Sequence, residues 1–209
     1  MDVKKKKKIK INLILKGVGH SNLRIFDNST DFETKVNRVV ESVCSLVGAP
    51  RADASLRKFL VKEQPKYVPV KFQEFDMEQT YLKNEDPDID GFIFVRRRGQ
   101  NGVNTYTHSV KRRMGDHRSA IVEKQISGKE YSTFLLRKDE NQKVVRKKIK
   151  SFIWKNQIFE LIHFVDFGVI TLQTQAEDTT QKVELPPFIQ TEKEITETKA
   201  YHTYVMAKK

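Results

Sequence analysis

Phe92-Ile-Phe-Val-Arg-Arg-Arg98, Gly99-Gln-Asn-Gly102 and Val103-Asn-Thr-Tyr-Thr-His-Ser-Val-Lys-Arg-Arg113 follow one another directly, and the fold is read outward from them. Two runs rich in β-branched and aromatic residues flank a glycine-bounded turn, which predicts an antiparallel hairpin. Along a strand, successive side chains point to opposite faces. Residues 92, 94, 96 and 98 therefore share one face, and 93, 95 and 97 the other. On the return strand Lys111 and Arg113 share a face, with Arg112 opposite.

The alternation continues on both sides. Leu56–Val61, Phe72–Tyr81, Ser119–Ile126 and Gly168–Gln175 read as further strands. Lys143–Trp154 and Gln157–Val165 form a second hairpin around Lys155-Asn156. In it Val144, Arg146, Lys148, Lys150, Phe152 and Trp154 share a face, and Lys143, Val145, Lys147, Ile149 and Ser151 share the opposite one. Ser127-Gly-Lys-Glu130 is a capping box that opens a helix of about ten residues. Leu185-Pro-Pro-Phe188 is a stiff connector, and Thr191–Lys209 a closing strand or helix. Upstream, Leu23-Arg-Ile-Phe26 is strand-like. Thr30-Asp-Phe-Glu33 caps a helix carrying Phe32, Val36, Val39, Val43 and Leu46 at helical spacing, stopped by Gly48 and Pro50. Cys44 lies near that apolar face and reads as a buried thiol. The expected class is α+β, mainly antiparallel β. About eight strands with one inserted helix suggest a closed or nearly closed barrel, because closure removes exposed edges.

Charge is distributed unevenly over the 209 residues, with 39 Lys+Arg against 27 Asp+Glu and a net +12. Residues 1–16 contribute +6 and residues 93–150 contribute +11, whereas 17–92 and 151–209 are mildly acidic, at −3 and −2. The excess has two sources. One is a basic tail, Lys4, Lys5, Lys6, Lys7, Lys8 and Lys10, which reads as a solubilising arm, a localisation signal or a docking arm for an acidic surface, nucleic acid included. The other is the central strands, where cations alternate with apolar groups. On a barrel's inner face such cations would repel by several kcal/mol unless water or an anion lay between them. A polyanion tunnel and an exposed basic sheet face both fit that pattern.

Several classes are excluded at this level. No stretch approaches the roughly 18 apolar residues of a membrane span, and Lys4–Lys8 leads into too short an apolar run for a cleavable signal. One cysteine permits neither a disulfide framework nor a multi-cysteine zinc site, and a reducing, intracellular setting is expected. That setting is cytoplasmic, cytoskeletal, ciliary or mitochondrial. The five histidines make no close metal spacing, and no Gly-x-Ser-x-Gly elbow occurs. Asp86, Asp88 and Asp90 lack the remaining calcium-loop ligands.

Four groups of residues carry a resemblance. They are Gly19-His-Ser-Asn-Leu-Arg-Ile-Phe-Asp-Asn-Ser29 with Phe32-Glu-Thr-Lys-Val-Asn-Arg38 and Val43-Cys44; Arg57-Lys-Phe-Leu-Val61; Arg96-Arg-Arg-Gly-Gln-Asn-Gly102 with Tyr106-Thr-His-Ser-Val-Lys-Arg112; and Leu185-Pro-Pro-Phe188 with Lys193-Glu-Ile-Thr196. Over about Gly17 to Lys208 the chain resembles the TRP-channel-translocation-defect family, within the broader CYTH family of triphosphate tunnel metalloenzymes. The former join a P-loop nucleotide domain to a CYTH-like barrel, and the insect relative is associated with phosphoinositide and guanine-nucleotide binding. Beyond the basic tail, 1–16, which the charge marks off, the resemblance implies two parts: a remnant strand and helix of the nucleotide domain, 17–50, packed on the barrel over an apolar patch, and a CYTH-like barrel, 51–209.

The chain departs from that pattern twice. No Gly-x-x-x-x-Gly-Lys-Ser/Thr is present, so nothing cradles a nucleotide's phosphates as a P-loop does. The CYTH signature Glu-x-Glu-x-Lys, aligned on Lys58, puts Ala54 and Leu56 at the metal-binding glutamates, and neither has the oxygen that Mg²⁺ or Mn²⁺ requires. Ile162 and Gln173 stand where relatives tend to carry Asp and Glu. The cations survive: Lys58, Arg96, Arg98, Lys111, Arg113, Lys124, Arg146 and Lys148 form the expected anion-binding set. Glu123 is expected to pair with a neighbouring cation. The expectation is a pseudoenzyme with no catalytic residues, metal or cofactor, acting as an accessory subunit of a larger protein assembly. A module for phosphoinositide, nucleotide or polyphosphate is the alternative, and a residual triphosphatase the third reading.

Overall fold

The computed structural model describes residues 32, 33, 35, 36, 39, 40, 43, 51, 52, 56–86, 90–113, 119–155, 157–176 and 183–209. Among them are ten strands: β1 (Arg51–Ala52), β2 (Leu56–Val61), β3 (Phe72–Leu82), β4 (Gly91–Gln100), β5 (Val103–Arg113), β6 (Ser119–Ile126), β7 (Val145–Trp154), β8 (Gln157–Phe164), β9 (Val169–Gln175) and β10 (Thr191–Glu194). Two short helices, α1 (Gly128–Leu135) and α2 (Thr203–Met206), and a 3-10 turn at Lys199–Tyr201 are described as well, beside helical positions between 32 and 43. The fold is mainly antiparallel β with few helices, as the alternation predicts. Among the described residues, β1 and β10 each have one hydrogen-bonded neighbour.

The chain divides into two compact units. The first takes in residues 76–146 and 200–209, and its strands neighbour in the order β1-β6-β5-β4-β3. β4 and β5 form the expected hairpin, with Gln100 opposite Val103. Asn101 and Gly102 turn it at φ 51° and 77°, the left-handed pair that matches the twist of the strands. Gly91 starts β4 because nothing larger fits: a Cβ there would lie 1.9 Å from the Lys111 carbonyl oxygen.

Ser127 caps α1 as its sequence predicts. The Glu130 N–H donates to Ser127 Oγ at 3.2 Å, and the Ser127 N–H donates to Glu130 Oε2 at 2.7 Å. The helix then drops Tyr131 into a core with Leu82, Val95 and Ile126. One face of this sheet is thereby covered.

The second unit takes in residues 56–75 and 147–199 of the described chain, in the order β7-β8-β9-β2-β10. Its core is Phe59, Val61, Phe152, Phe159, Leu161, Leu172 and Ile189, closed by Leu185, Phe188 and Trp154. The proline connector supplies this cover. Arg57 holds β10 through a two-pronged pair with Glu194, Nε to Oε1 at 2.5 Å and Nη2 to Oε2 at 2.6 Å.

Two expectations are refined. The closing element is three pieces, β10, the 3-10 turn and α2. In the N-terminal helix, the described positions 32, 33, 35, 36, 39, 40 and 43 are helical. Phe32, Val36, Val39, Val40 and Val43 are nevertheless exposed, Phe32 by 84%, so these side chains do not make the packing expected of a remnant helix. The lysine tail, Leu23–Phe26, Cys44, Ala54 and part of the acidic loop lie outside the described residues.

Candidate functional site

In the first unit, α1 covers one face of the sheet, and strand register defines what stands on the other. Arg96 lies opposite Gln79 on β3 and Thr107 on β5. Phe94 lies opposite Ser109, which lies opposite Glu123; Phe92 lies opposite Lys111. Directly opposed residues share a face. Gln79, Arg96, Arg98, Ser109, Lys111 and Glu123 therefore stand together, with aromatic rings at one end.

The centre of this face is a hydrogen-bonded group. Arg96 Nε donates to Gln79 Oε1 at 3.1 Å, and Arg96 Nη1 lies 3.4 Å from Glu123 Oε2. Ser109 Oγ donates to the same Glu123 oxygen at 3.0 Å. The Arg96 guanidinium also sits 4.6 Å from the centre of the Phe94 ring. Gln79 and Ser109 are buried. A buried amide and hydroxyl persist where they have partners, and these two hold the guanidinium and carboxylate in register. Arg98, 8% exposed, is the most buried arginine described, and its Nη2 donates to Gln100 Oε1 at 3.2 Å.

The aromatic end is Tyr81, Phe92, Phe94 and Tyr204 of α2. Phe92 and Tyr204 stack at 4.7 Å and 7°, and Tyr81 meets Tyr204 edge-on at 5.1 Å. Burial pushes the Tyr81 phenol well above its usual value, against the opposing pull of the Arg96 charge.

The other expected anion-binding residues are placed as follows. Arg113 takes the register position opposite Ser119. Lys124 is exposed and opposite His108, on the α1 side of the sheet. There His108 stacks on Phe134 at 4.5 Å, and its pKa is lowered by burial and then by the Arg137 and Lys124 charges. Arg146 and Lys148 are exposed on β7, alternating with buried Val145, Lys147 and Ile149. Lys58 belongs to the second unit, in the row Lys58, Gln173, Glu160 and Ser151 across β2, β9, β8 and β7. Ile162 and Thr171 are directly opposed beside that row, and both are buried.

Sequence reasoning put Arg96 and Arg98 on one strand face, named Lys111 in the same anion-binding set and expected Glu123 to pair with a neighbouring cation; the register puts all four on one face. It missed Gln79 and Ser109, and it missed Lys147, buried with its Nζ 5.0 Å from the Phe164 ring centre. Parity within β5 would have found Ser109, two residues before Lys111. Gln79 needed the β3–β4 register, which no short turn fixes.

Among the described residues, no three His, Cys, Asp or Glu side chains come together to hold a metal ion. Glu123 accepts from Arg96 and Ser109 instead. Chemically, this face can bind and orient an anion through fixed cations, with its carboxylate engaged by a guanidinium.

No family model matches the chain, and no curated protein matches it. Solved structures do. The chain is similar to the inorganic triphosphatase NE1496 at 22% identity and a TM-score of 0.47, over 74% of this chain and 94% of that one. It is similar to the PH1819 protein from Pyrococcus horikoshii OT3 at 17% identity and a TM-score of 0.47, over 61% and 80%. These are likenesses of fold. Among the described residues, no helix is long and apolar enough to cross a membrane.

Proposed function

We propose that the chain is a non-catalytic CYTH-like barrel of the TRP-channel-translocation-defect kind, which serves as an accessory subunit of a larger protein assembly. The observation that carries the non-catalytic part is the pairing of Glu123 with Arg96 and Ser109. A metal ion placed on that carboxylate would meet a fixed positive charge 3.4 Å away. Metal-assisted phosphate hydrolysis needs oxygen ligands that neutralise the ion and leave it a site for water. The exposed Phe32, Val36, Val39, Val40 and Val43, spaced to fall on one side of a helix, support the assembly role, because exposed apolar side chains grouped in this way mark an interaction surface. The basic tail, Lys4–Lys8 and Lys10, docks on an acidic surface of the same assembly.

Two measurements test this reading. Phosphate release from tripolyphosphate and ATP with Mg²⁺ or Mn²⁺ is expected to be absent; turnover abolished by Lys58→Ala would overturn the pseudoenzyme reading in favour of a residual triphosphatase. Native protein in cell extract is expected to sediment far above its 24.4 kDa mass. A lone monomer there would sink the accessory-subunit role.

A second reading is favoured by Arg98 and Lys111 standing on the face of Arg96. In it the chain binds a polyanion such as phosphoinositide, nucleotide or polyphosphate. Charge reversal at Arg96 and Arg98 should abolish binding to phosphoinositide vesicles or tripolyphosphate.

A further inference from the structure

One face of β7 changes character along its length. Phe152 is enclosed, Lys150 is half-buried, and Lys148 and Arg146 are exposed. These alternate positions share a face. Lys150 lies opposite Leu161, Leu161 opposite Leu172 and Leu172 opposite Phe59, and the last three belong to the core of the second unit. The core face therefore runs out from under its cover into a row of cations. From Lys143 to Lys155 the chain carries six basic residues and no acidic one.

Exposed rings accompany this row. Phe72, the first residue of β3, is 40% exposed, and Lys150 Nζ sits 5.0 Å from its ring centre. Tyr67, 75% exposed, is carried on the preceding loop, which buried Val68 and core-packed Val70 anchor. Lys71, between Val70 and Phe72, is exposed. Glu74 is the opposing charge, 3.8 Å from Lys150 Nζ and half exposed, so solvent screens that pair.

Cations at every second residue of a strand recur about 6.7 Å apart, so consecutive phosphates of an extended chain can meet consecutive cations. Exposed rings beside such a row let bases stack. A duplex keeps its bases inside and offers the rings none. A bilayer takes up apolar side chains that protrude, whereas Phe72 lies within a strand with Lys150 against it. We propose that this open end of the face, Arg146, Lys148 and Lys150 with Lys71, Phe72 and Tyr67, binds single-stranded nucleic acid, the cations tracking its phosphates and the rings stacking its bases. The inference goes beyond the readings above. It gives the chain a nucleic-acid partner, and its failure would leave the sedimentation test of the accessory-subunit role untouched.

The test follows fluorescence anisotropy of a labelled oligouridine of about 20 nucleotides, and of a duplex of equal length, across a salt series. The full chain should bind the oligouridine. Reversing two cations, Lys148→Glu with Lys150→Glu, should weaken that binding about tenfold and make the salt slope shallower by about 1.4, at about 0.7 for each phosphate contact to a single strand. Lys193→Glu with Lys199→Glu, the same charge change at two other exposed lysines of the second unit, should leave it within about twofold. Equal weakening by both pairs would trace binding to net charge and overturn the proposal. Phe72→Leu should weaken oligouridine binding about fivefold without changing the slope or the binding of the duplex; no change with oligouridine would overturn the single-strand assignment. Absence of oligouridine binding by the full chain sinks the proposal outright, and capture by phosphatidylserine vesicles in its place would assign the face to a membrane. Photo-crosslinking of a 4-thiouridine oligomer to the unaltered protein needs no variant. Crosslinks should map to residues 66–72 and 146–150, and crosslinks confined to other segments would also overturn it.

Discussion

Arg96 and Glu123, on strands separated by β5, are ion-paired with Nη1 3.4 Å from Oε2, and Ser109 of the intervening strand donates to the same oxygen at 3.0 Å. Three strands thus converge on one carboxylate. Both charged side chains are about a quarter to a third exposed, so their pairing is partly screened.

Glu123→Gln keeps an acceptor for Ser109 and removes the charge facing Arg96. We expect a loss of about 1–2 kcal/mol in stability, the scale of a hydrogen bond to a charged group. Freed of its carboxylate, the face should also bind tripolyphosphate more tightly. Urea denaturation and calorimetry read the two effects, and weaker anion binding in this variant would contradict the assignment of the face.

The capping box gives a pH dependence of known sign. The Ser127 N–H and then its hydroxyl hold the Glu130 carboxyl below its usual range. A carboxylate with a depressed folded-state pKa contributes stability above its unfolded pKa and loses it as pH falls through the folded value. Glu130→Gln should therefore flatten the acid limb of the stability profile between the ordinary glutamate pKa and the lowered one. Ser127→Ala should lower stability by about 1 kcal/mol at neutral pH. Melting curves collected across that range check both, and an unchanged acid limb in Glu130→Gln would count against the capping box.

Phe152 and Phe159 are fully enclosed in the second unit and stack at 5.9 Å and 17°. Phe152→Ala removes a ring from a core that cannot collapse around it, which costs about 3–5 kcal/mol. Guanidinium unfolding measures the loss; a change below 1 kcal/mol would mean that the core of Phe59, Leu161 and Leu172 is not packed as described.

Gly91→Ala would set a methyl group 1.9 Å from the Lys111 carbonyl oxygen. That oxygen belongs to the β4–β5 ladder, so the strands must part at their Gly91–Arg112 end. Overpacking of this kind costs about 1–3 kcal/mol. Amide exchange at residues 91–93 and 110–112 should accelerate while the Asn101-Gly102 end of the hairpin stays protected. Uniform protection would place Gly91 elsewhere.

The sequence by itself determined the parts of this protein that depend on short-range geometry. Alternation put Arg96 and Arg98 on one strand face; the Gly99–Gly102 turn set the β4–β5 register, and with it Lys111 opposite Phe92. Ser127 and Glu130 announced α1 because both cap bonds join residues three apart. The tertiary structure alone decided which alternating face is covered. Arg146 and Lys148 share a parity with Phe152, yet they are exposed while Phe152 is buried under the 183–190 segment, because a residue's face is local and what covers it comes from distant chain. Gln79 joined Arg96 only through the β3–β4 register, across a connection too long for turn geometry to fix. Tyr204 reached Phe92 from more than a hundred residues away, held by two backbone bonds and a ring stack that leave no mark on the local sequence.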